Sequence, residues 1–284
     1  MSDPVLVGVD GSESSLAAVD VAVREARLRG CGLRIVHAFI WPLMHVSLGP
    51  AQGGPAEGGL RHQAETVLAD ARARARALDP GLELAAELVT GEPLTVLAQR
   101  SRESCLVVVG SRGLGRFGAL LIGSVAVHLA AHAACPVLIV RGRPEPDGPV
   151  LVAVDGSGVG AEALDFAFAE ASARRAPLTA LHVAHPSASL PGQEERALAE
   201  AMAGRRGTYP DVELRSELIE AHARPALIDA SRAAQLLVVG ARGRGGFAGM
   251  LLGSTSQAMI QHAHCPVVVV RHEARSAEAP APIG

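Results

Sequence analysis

Two doubly wound α/β domains in tandem, each built on a five-stranded parallel sheet, is the fold class this sequence predicts. Three observations carry that prediction. The chain has 284 residues, which halves to 142, a common size for one domain. One unit is written twice: Val7-Gly8-Val9-Asp10-Gly11-Ser12 returns as Val152-Ala153-Val154-Asp155-Gly156-Ser157 at an offset of 145, and Val108–Gly113 returns as Val238–Gly243 at an offset of 130. Within each unit, short β-branched runs alternate with amphipathic segments. Such alternation means right-handed crossovers and a parallel sheet covered on both faces.

The elements follow in order. Val5–Val9 is a short apolar run rich in β-branched residues, the pattern of a buried strand. Ser12 is placed to cap a helix running to about Arg29, with Leu16, Val19, Val23 and Ala26 on one face, and Gly30 and Gly32 end it. Leu33–Phe39 is a second strand. The Pro/Gly-rich stretch Trp41 to Gly59 reads as a long mobile loop, and Arg61–Leu78 as a second helix. Leu82–Val89, Leu106–Val109 and Val137–Val140 are strands three to five, with helices near Glu92–Glu103 and Ser124–Ala133 between them. Cys105–Arg141 aligns without gaps on Gln235–Arg271, with 18 of 37 positions identical, and the two offsets leave 15 extra residues in the long loop of the first copy. The expected organisation is domain 1 over residues 1–141, a linker over 142–149, domain 2 over 150–272 and a disordered Ala/Pro-rich tail over 273–284.

Composition narrows the chemistry. The 26 basic side chains, set against 29 acidic ones, are all Arg, and Lys and Asn are missing altogether. That excludes a Walker-A lysine, a kinase-type ATP-anchoring lysine and any Schiff-base lysine. The codon usage of a GC-rich genome accounts for the bias. A formal net charge of −3, with five Phe, one Tyr and one Trp, offers nucleic acid neither a basic face nor stacking platforms. No charged-then-apolar leader follows Met1 and no 18-residue apolar stretch exists to span a bilayer. Cys31, Cys105, Cys135 and Cys265 form no C-x-x-C pair; Cys135 and Cys265 each precede a Pro and a buried-looking strand, as packed, reduced thiols do. The reading is a soluble cytoplasmic protein that binds neither nucleic acid nor membrane.

In an open parallel sheet, ligands sit outside the carboxyl ends of the strands. Two features of each copy fall there. One is the acid closing strand one, Asp10 or Asp155. The other is a glycine-rich passage leaving strand four: Gly110-x-x-Gly113, nine residues, then Gly123-Ser124, repeated as Gly240-x-x-Gly243, nine residues, then Gly253-Ser254. Gly110 and Gly113 permit positive φ, which lets successive N–H groups converge on an anion. The second Gly-Ser opens a helix, whose N-terminus favours phosphate, with Ser124 or Ser254 either capping it or lending a hydroxyl. Arg112, Arg116, Arg242 and Arg244 add cationic forks. A purely structural loop would also survive duplication, but the repeated spacing below a repeated V-D-G-S favours phosphate.

These motifs resemble the ATP-binding branch of the universal stress protein family, whose G-x2-G-x9-G-[ST] pattern follows strand four with V-D-G-S at strand one. The resemblance covers nearly the whole chain, once per half, and is to the tandem two-domain form of actinobacterial kind. It implies adenine-nucleotide α-hydrolase-like, Rossmann-like domains related by a pseudo-two-fold axis and joined through their fifth strands, Val137–Val140 and Val267–Val270. It also implies ATP with magnesium. Adenine and ribose would lie near Asp10 and Ala38, or Asp155 and Val183, with Gly8 and Ala153 leaving room for the base. The triphosphate would lie on Gly110, Ser111, Arg112, Gly113, Leu114, Gly115 and Arg116 and on Gly123, Ser124 and Val125. In copy two it would lie on Gly240, Ala241, Arg242, Gly243, Arg244, Gly245 and Gly246 and on Gly253, Ser254 and Thr255. Copy two departs in having Ile219-Glu220-Ala221 where copy one has Val89-Thr90-Gly91.

Other candidates are weaker. His128 and His132 have zincin spacing, but no Glu follows His128 and the matching position is Ala258. His262 and His264 sit at a helix end, where imidazolium would favour the last carbonyls. His37 and His182 repeat at the end of strand two, either edging the pocket or packing the strand end. Arg72, Arg74 and Arg76 fan around a helix as a solvated face. No G-x-S-x-G and no H-E-x-x-H occurs, and no second acid per copy stands near the phosphate loop to activate water. The function expected is a nucleotide-dependent stress-response regulator with two ATP sites, an unknown protein partner and at most slow ATP turnover. The alternative is an interaction scaffold of the same fold without nucleotide. A pyrophosphate-releasing hydrolase is disfavoured, because Asp10-Gly11-Ser12-Glu13-Ser14 stands where an S-G-G-x-D-S loop would be. Pairing of whole chains as a homodimer is left open.

Overall fold

The computed structural model describes residues 2–40, 58–113, 123–155, 160–184, 196, 199–200, 202–243 and 251–271. The first half runs β1 (Val5–Gly8), α1 (Glu13–Arg29), β2 (Leu33–Phe39), α2 (Gly58–Leu78), β3 (Leu84–Thr90), α3 (Pro93–Arg100), β4 (Leu106–Gly110), α4 (Ser124–His132) and β5 (Val137–Val140). The second repeats it as β6 (Val150–Val154), α5 (Ala161–Arg174), β7 (Leu178–Ala184), α6 (Arg205–Thr208), β8 (Leu214–Glu220), α7 (Ala223–Ala230), β9 (Leu236–Gly240), α8 (Ser254–His262) and β10 (Val267–Val270). Of the loop expected over 41–59, only Gly58 and Gly59 are described, and they open α2. The tail expected over 273–284 lies outside the described residues.

Local chemistry explains the boundaries. Ser12 caps α1 by accepting the Ser15 N–H (3.2 Å), and Gly30, at φ +61°, closes it in the left-handed region with its N–H on the Ala26 and Arg27 carbonyls. The helix expected over Glu92–Glu103 is shorter, ending at Arg100 in a 3-10 turn, Ser101–Glu103. Buried Ser101 donates its hydroxyl to the Ala98 carbonyl (2.7 Å) and accepts the Ala134 N–H (2.8 Å). Copy two repeats both bonds through Ser231. Side chains alternate along the strands as period two demands. Val5 and Val7 pack with Ala18, Val19 and Ala22 of α1, whereas Leu6 faces the other way, against Leu97 of α3 and Leu129 of α4.

The strands of the described residues belong to one ten-stranded sheet in the order β3-β2-β1-β4-β5-β10-β9-β6-β7-β8. Among the described residues each half is parallel, and the single antiparallel step is β5 on β10. There Leu138 pairs with Val268, its own counterpart 130 residues on, so the pseudo-two-fold axis runs through that pair. Both apolar cores continue across this seam.

Polar contacts lock the halves together. Glu25 and Arg29 of α1 meet Glu170 and Arg174 of α5 in a ring of four ion pairs, each arginine touching both carboxylates. Glu25 and Glu170 are 1% and 5% exposed, and the ring is itself two-fold, since the offset is 145 for both residue types. Burial, then Glu25, pushes the Glu170 carboxyl above its usual range against the pull of Arg29 and Arg174. Across the seam, Arg141 donates to the Ala263 and Gln261 carbonyls at the end of α8, and Arg271 donates to Ala133 at the end of α4. Each arginine thus caps the last helix of the other half, where cationic donors are favoured. The segment between the halves is docked: Arg143 N–H donates to His264 and Glu145 N–H to Ala234. Gly142 (φ +61°) lies so close to the His264 carbonyl that a Cβ would collide with it.

Candidate functional site

In the order 3-2-1-4-5, connections leave β1 and β4 toward opposite sides, which opens a crevice at their carboxyl ends. In copy two that crevice is a cavity of about 410 Å³. Ala153, Leu181, Val183 and Leu227 give it an apolar floor, while Gly240, Arg242, Gly243, Gly253, Ser254 and Thr255 give it a polar end, with Asp155 between. A flat apolar group fits one end and an anion the other. The polar end holds the N-terminus of α8, where unpaired N–H groups and the helix dipole favour negative charge.

The same hydrogen bonds tie the loop in both copies. Ser111 N–H donates to Val140 and Ala241 N–H to Val270; Gly123 N–H donates back to Ser111 (2.9 Å) and Gly253 N–H to Ala241 (2.7 Å). The two ends of each nine-residue spacing therefore converge on one point. Leu114, Gly115 and Arg116, with Arg244, Gly245 and Gly246, lie outside the described residues.

The glycines serve a different purpose from the one expected. Positive φ is found at Gly11, Gly30, Gly91 and Gly142, not at Gly110, Gly113, Gly240 or Gly243. What the loop requires is room. A Cβ on Gly113 would stand 2.6 Å from Asp10 Oδ2, one on Gly243 2.9 Å from Asp155 Oδ2, and one on Gly110 2.7 Å from the Ser14 carbonyl oxygen. Absent side chains let the loop close onto the strand-one carboxylate in both copies.

Asp10 is held on its other side: Oδ1 accepts the Ser12 hydroxyl (2.6 Å) and N–H (3.0 Å), leaving Oδ2 toward Gly113. His37 and His182 perform matching tasks. Each donates Nδ1–H to the carbonyl preceding the aspartate, Val9 (2.7 Å) and Val154 (2.8 Å), and the tautomer follows because a carbonyl only accepts. Both hold the strand end, and His182 is not among the described residues lining the cavity of copy two. Ser124 and Ser254 are exposed and do not cap; the N-caps are Gly123 and Gly253, without side-chain bonds. The room beside Gly8 is filled by Leu97, whose counterpart Leu227 lies in the second cavity with Ala153.

Sequence reasoning missed several contributors. Leu97 and Leu227 resemble any core leucine in sequence. Ser256 donates its hydroxyl to the Gly240 carbonyl (2.7 Å), a bond that Ala126 cannot make in copy one. Ser14 instead accepts the Arg112 N–H (3.3 Å) there. The serines at 14 and 256 are visible only as differences between the copies. Arg271, beyond β10, is pushed below its usual range by burial and then by Arg242 of the loop. Elsewhere, His128 and His132 stack at 3.9 Å, with His132 Nδ1–H on the His128 carbonyl, as a helix-end pair. Among the described residues no group of three metal-ligating side chains occurs.

The universal stress protein family model matches residues 1–141 and, separately, residues 148–271. The chain belongs to the universal stress protein family. A universal stress protein of Mycolicibacterium smegmatis is 37% identical over 287 positions, covering 94% of this chain and 96% of the relative. One from Mycobacterium tuberculosis is 36% identical over 286 positions with the same coverage. The crystal structure of a universal stress protein from Archaeoglobus fulgidus superposes with a TM-score of 0.74 at 22% identity, covering 95% of this chain and 99% of that one, so the fold is shared across both halves. In this universal stress protein, no helix among the described residues is long and apolar enough to cross a membrane.

Proposed function

We propose that this universal stress protein binds ATP at two sites, one per half, and acts in the cytoplasm as a nucleotide-dependent regulator of a protein partner. The observation carrying the reading is the copy-two cavity, which joins an apolar floor, a strand-one carboxylate and a glycine loop opening a helix. Its volume lies within the range of small-molecule sites. In copy one, the closure of Gly113 onto Asp10 repeats the closure of Gly243 onto Asp155.

The adenine would rest on the apolar floor, with the ribose hydroxyls donating to Asp155 or Asp10. The phosphates would meet the N–H groups of the loop and of the helix start, assisted by Arg242 or Arg112. Phosphate oxygens and water supply most ligands of magnesium, so the ion travels with the nucleotide. Asp155 is the one acid among the described residues lining the cavity, and in this reading it meets the ribose. In this reading turnover is at most slow.

Calorimetry tests the reading. ATP-Mg should bind with a stoichiometry near two, and simultaneous Gly110→Val, Gly113→Val, Gly240→Val and Gly243→Val changes should abolish it. Undiminished binding by that variant would overturn the loop assignment; a folded parent that shows neither heat nor thermal stabilisation with ATP-Mg would overturn the nucleotide reading itself.

A further inference from the structure

At the opposite, amino-terminal edge of the sheet, two thiols from distant parts of the chain meet. Cys31 lies between Gly30, which closes α1, and Gly32, just before β2; Cys105 immediately precedes β4. Their sulfurs stand 3.9 Å apart, 74 positions from each other in sequence, and both side chains are half-buried. The backbone on either side is fixed: Cys31 N–H donates to Ala26 and Cys105 N–H to Pro4. Copy two has Ala176 and Gln235 at the corresponding places, so the pair belongs to the first half alone. Neither thiol takes part in the nucleotide reading.

We propose that Cys31 and Cys105 are an oxidant-responsive pair that forms an intramolecular disulfide when the protein meets a small hydroperoxide. A disulfide needs its sulfurs about 2.05 Å apart. The approach required from 3.9 Å is therefore just under 2 Å. Burial, with Cys31 beside it, pushes the Cys105 thiol up to about 12 and keeps it protonated, which assigns the first attack to Cys31. The Cys31 sulfur takes the terminal oxygen of the hydroperoxide as the O–O bond breaks, giving a sulfenic acid and one molecule of water or alcohol. The Cys105 sulfur then displaces the hydroxyl of that sulfenic acid, the S–S bond forms, and the hydroxyl leaves as water with the Cys105 proton. The two sulfurs together lose two electrons and the hydroperoxide gains them. A low-molecular-weight dithiol reverses the bond by exchange.

The bond would tie the end of α1 to the start of β4. Those two elements frame the candidate site at their other ends, and Arg29 of the buried ion-pair ring stands two residues from Cys31. Cys135 and Cys265, each pushed up to about 12 by burial, are the internal controls.

Trypsin separates the cysteines: Cys31 falls in residues 30–34, Cys105 in 103–112, Cys135 in 117–141 and Cys265 in 245–271. The native full-length chain is treated with hydrogen peroxide, blocked with a thiol alkylator and digested without reductant. The expected result is a fall from four titratable thiols to two, with residues 30–34 linked to 103–112 and the link lost on dithiothreitol treatment. In Cys105→Ser, Cys31 should remain as a sulfenic acid that dimedone labels; in Cys31→Ser, all three thiols should persist. Four thiols retained by the parent, or a link joining 103–112 to 117–141, overturns the proposal. The parent's own peptide map decides the matter even where a serine variant folds poorly.

Discussion

Replacing Gly113 or Gly243 by alanine tests the closure of the loop onto the strand-one carboxylate. The new methyl group would stand 2.6 Å from Asp10 Oδ2 in one copy and 2.9 Å from Asp155 Oδ2 in the other. Ordinary contact begins near 3.4 Å, so the groups must part by about 0.8 Å in copy one and about 0.5 Å in copy two. Neither glycine has positive φ, so the damage comes from crowding and not from backbone strain. The clashing atom ends a carboxylate side chain, which can give, so the crowding costs at most about 1–3 kcal/mol. If the displaced carboxylate and loop are ligand contacts, the cost appears as roughly 5- to 150-fold weaker ATP binding at that site. Calorimetry at fixed salt should show one site weakened in each variant and the other left near parental affinity, with Gly113→Ala suffering more. Thermal melting without nucleotide checks that the fold survives. Parental affinity at both sites in both folded variants would refute the argument that the closure serves binding.

The ion-pair ring yields two further expectations. Arg174→Met leaves Glu25 and Glu170 sharing Arg29, and losing one partner from so buried a group should cost about 3–5 kcal/mol in urea unfolding; a loss below about 1 kcal/mol, as for a surface pair, would count against it. Because the folded pKa of Glu170 is raised, its contribution is fully present below the ordinary carboxylate range and is lost as pH rises through the folded value. The stability of the parent minus that of Glu170→Gln should therefore fall with rising pH across that window, and a rise would contradict the assignment. Gly142→Ala meets a left-handed φ and the His264 carbonyl together, and unfolding should register a loss of about 2–4 kcal/mol; an unchanged midpoint would show that the docked segment tolerates movement.

The sheet was legible because strand burial leaves its mark on composition. Runs such as Leu106–Val109 and Val267–Val270 admit few other readings, and their order follows from alternation with helices. The loop motif was legible because it occurs twice at one spacing. The reason for its glycines was not, since close approach to Asp10 is a tertiary fact and glycine signals positive φ and open space alike. The α3 boundary failed for a similar reason: Ser101 ends the helix by reaching Ala134, which is distant in sequence. The ring of Glu25, Arg29, Glu170 and Arg174 reads in sequence as two ordinary i,i+4 pairs. Only the seam turns those pairs toward each other. The meeting of Cys31 and Cys105 was equally hidden, because the two residues flank different strands.

A strand edge able to pair with its own copy will accept any like unit, so free copies would sort by collision. Here the Leu138–Val268 seam is filled from within one polypeptide, at the high effective concentration that a short docked connection provides. Each half always meets its unlike twin. The gene has fixed a heterodimer that cannot exchange into homodimers, and differences between the halves are inherited as a set. Ser256 where copy one has Ala126, and Cys31 with Cys105 where copy two has Ala176 with Gln235, can therefore assign separate duties to the halves at constant one-to-one dosage.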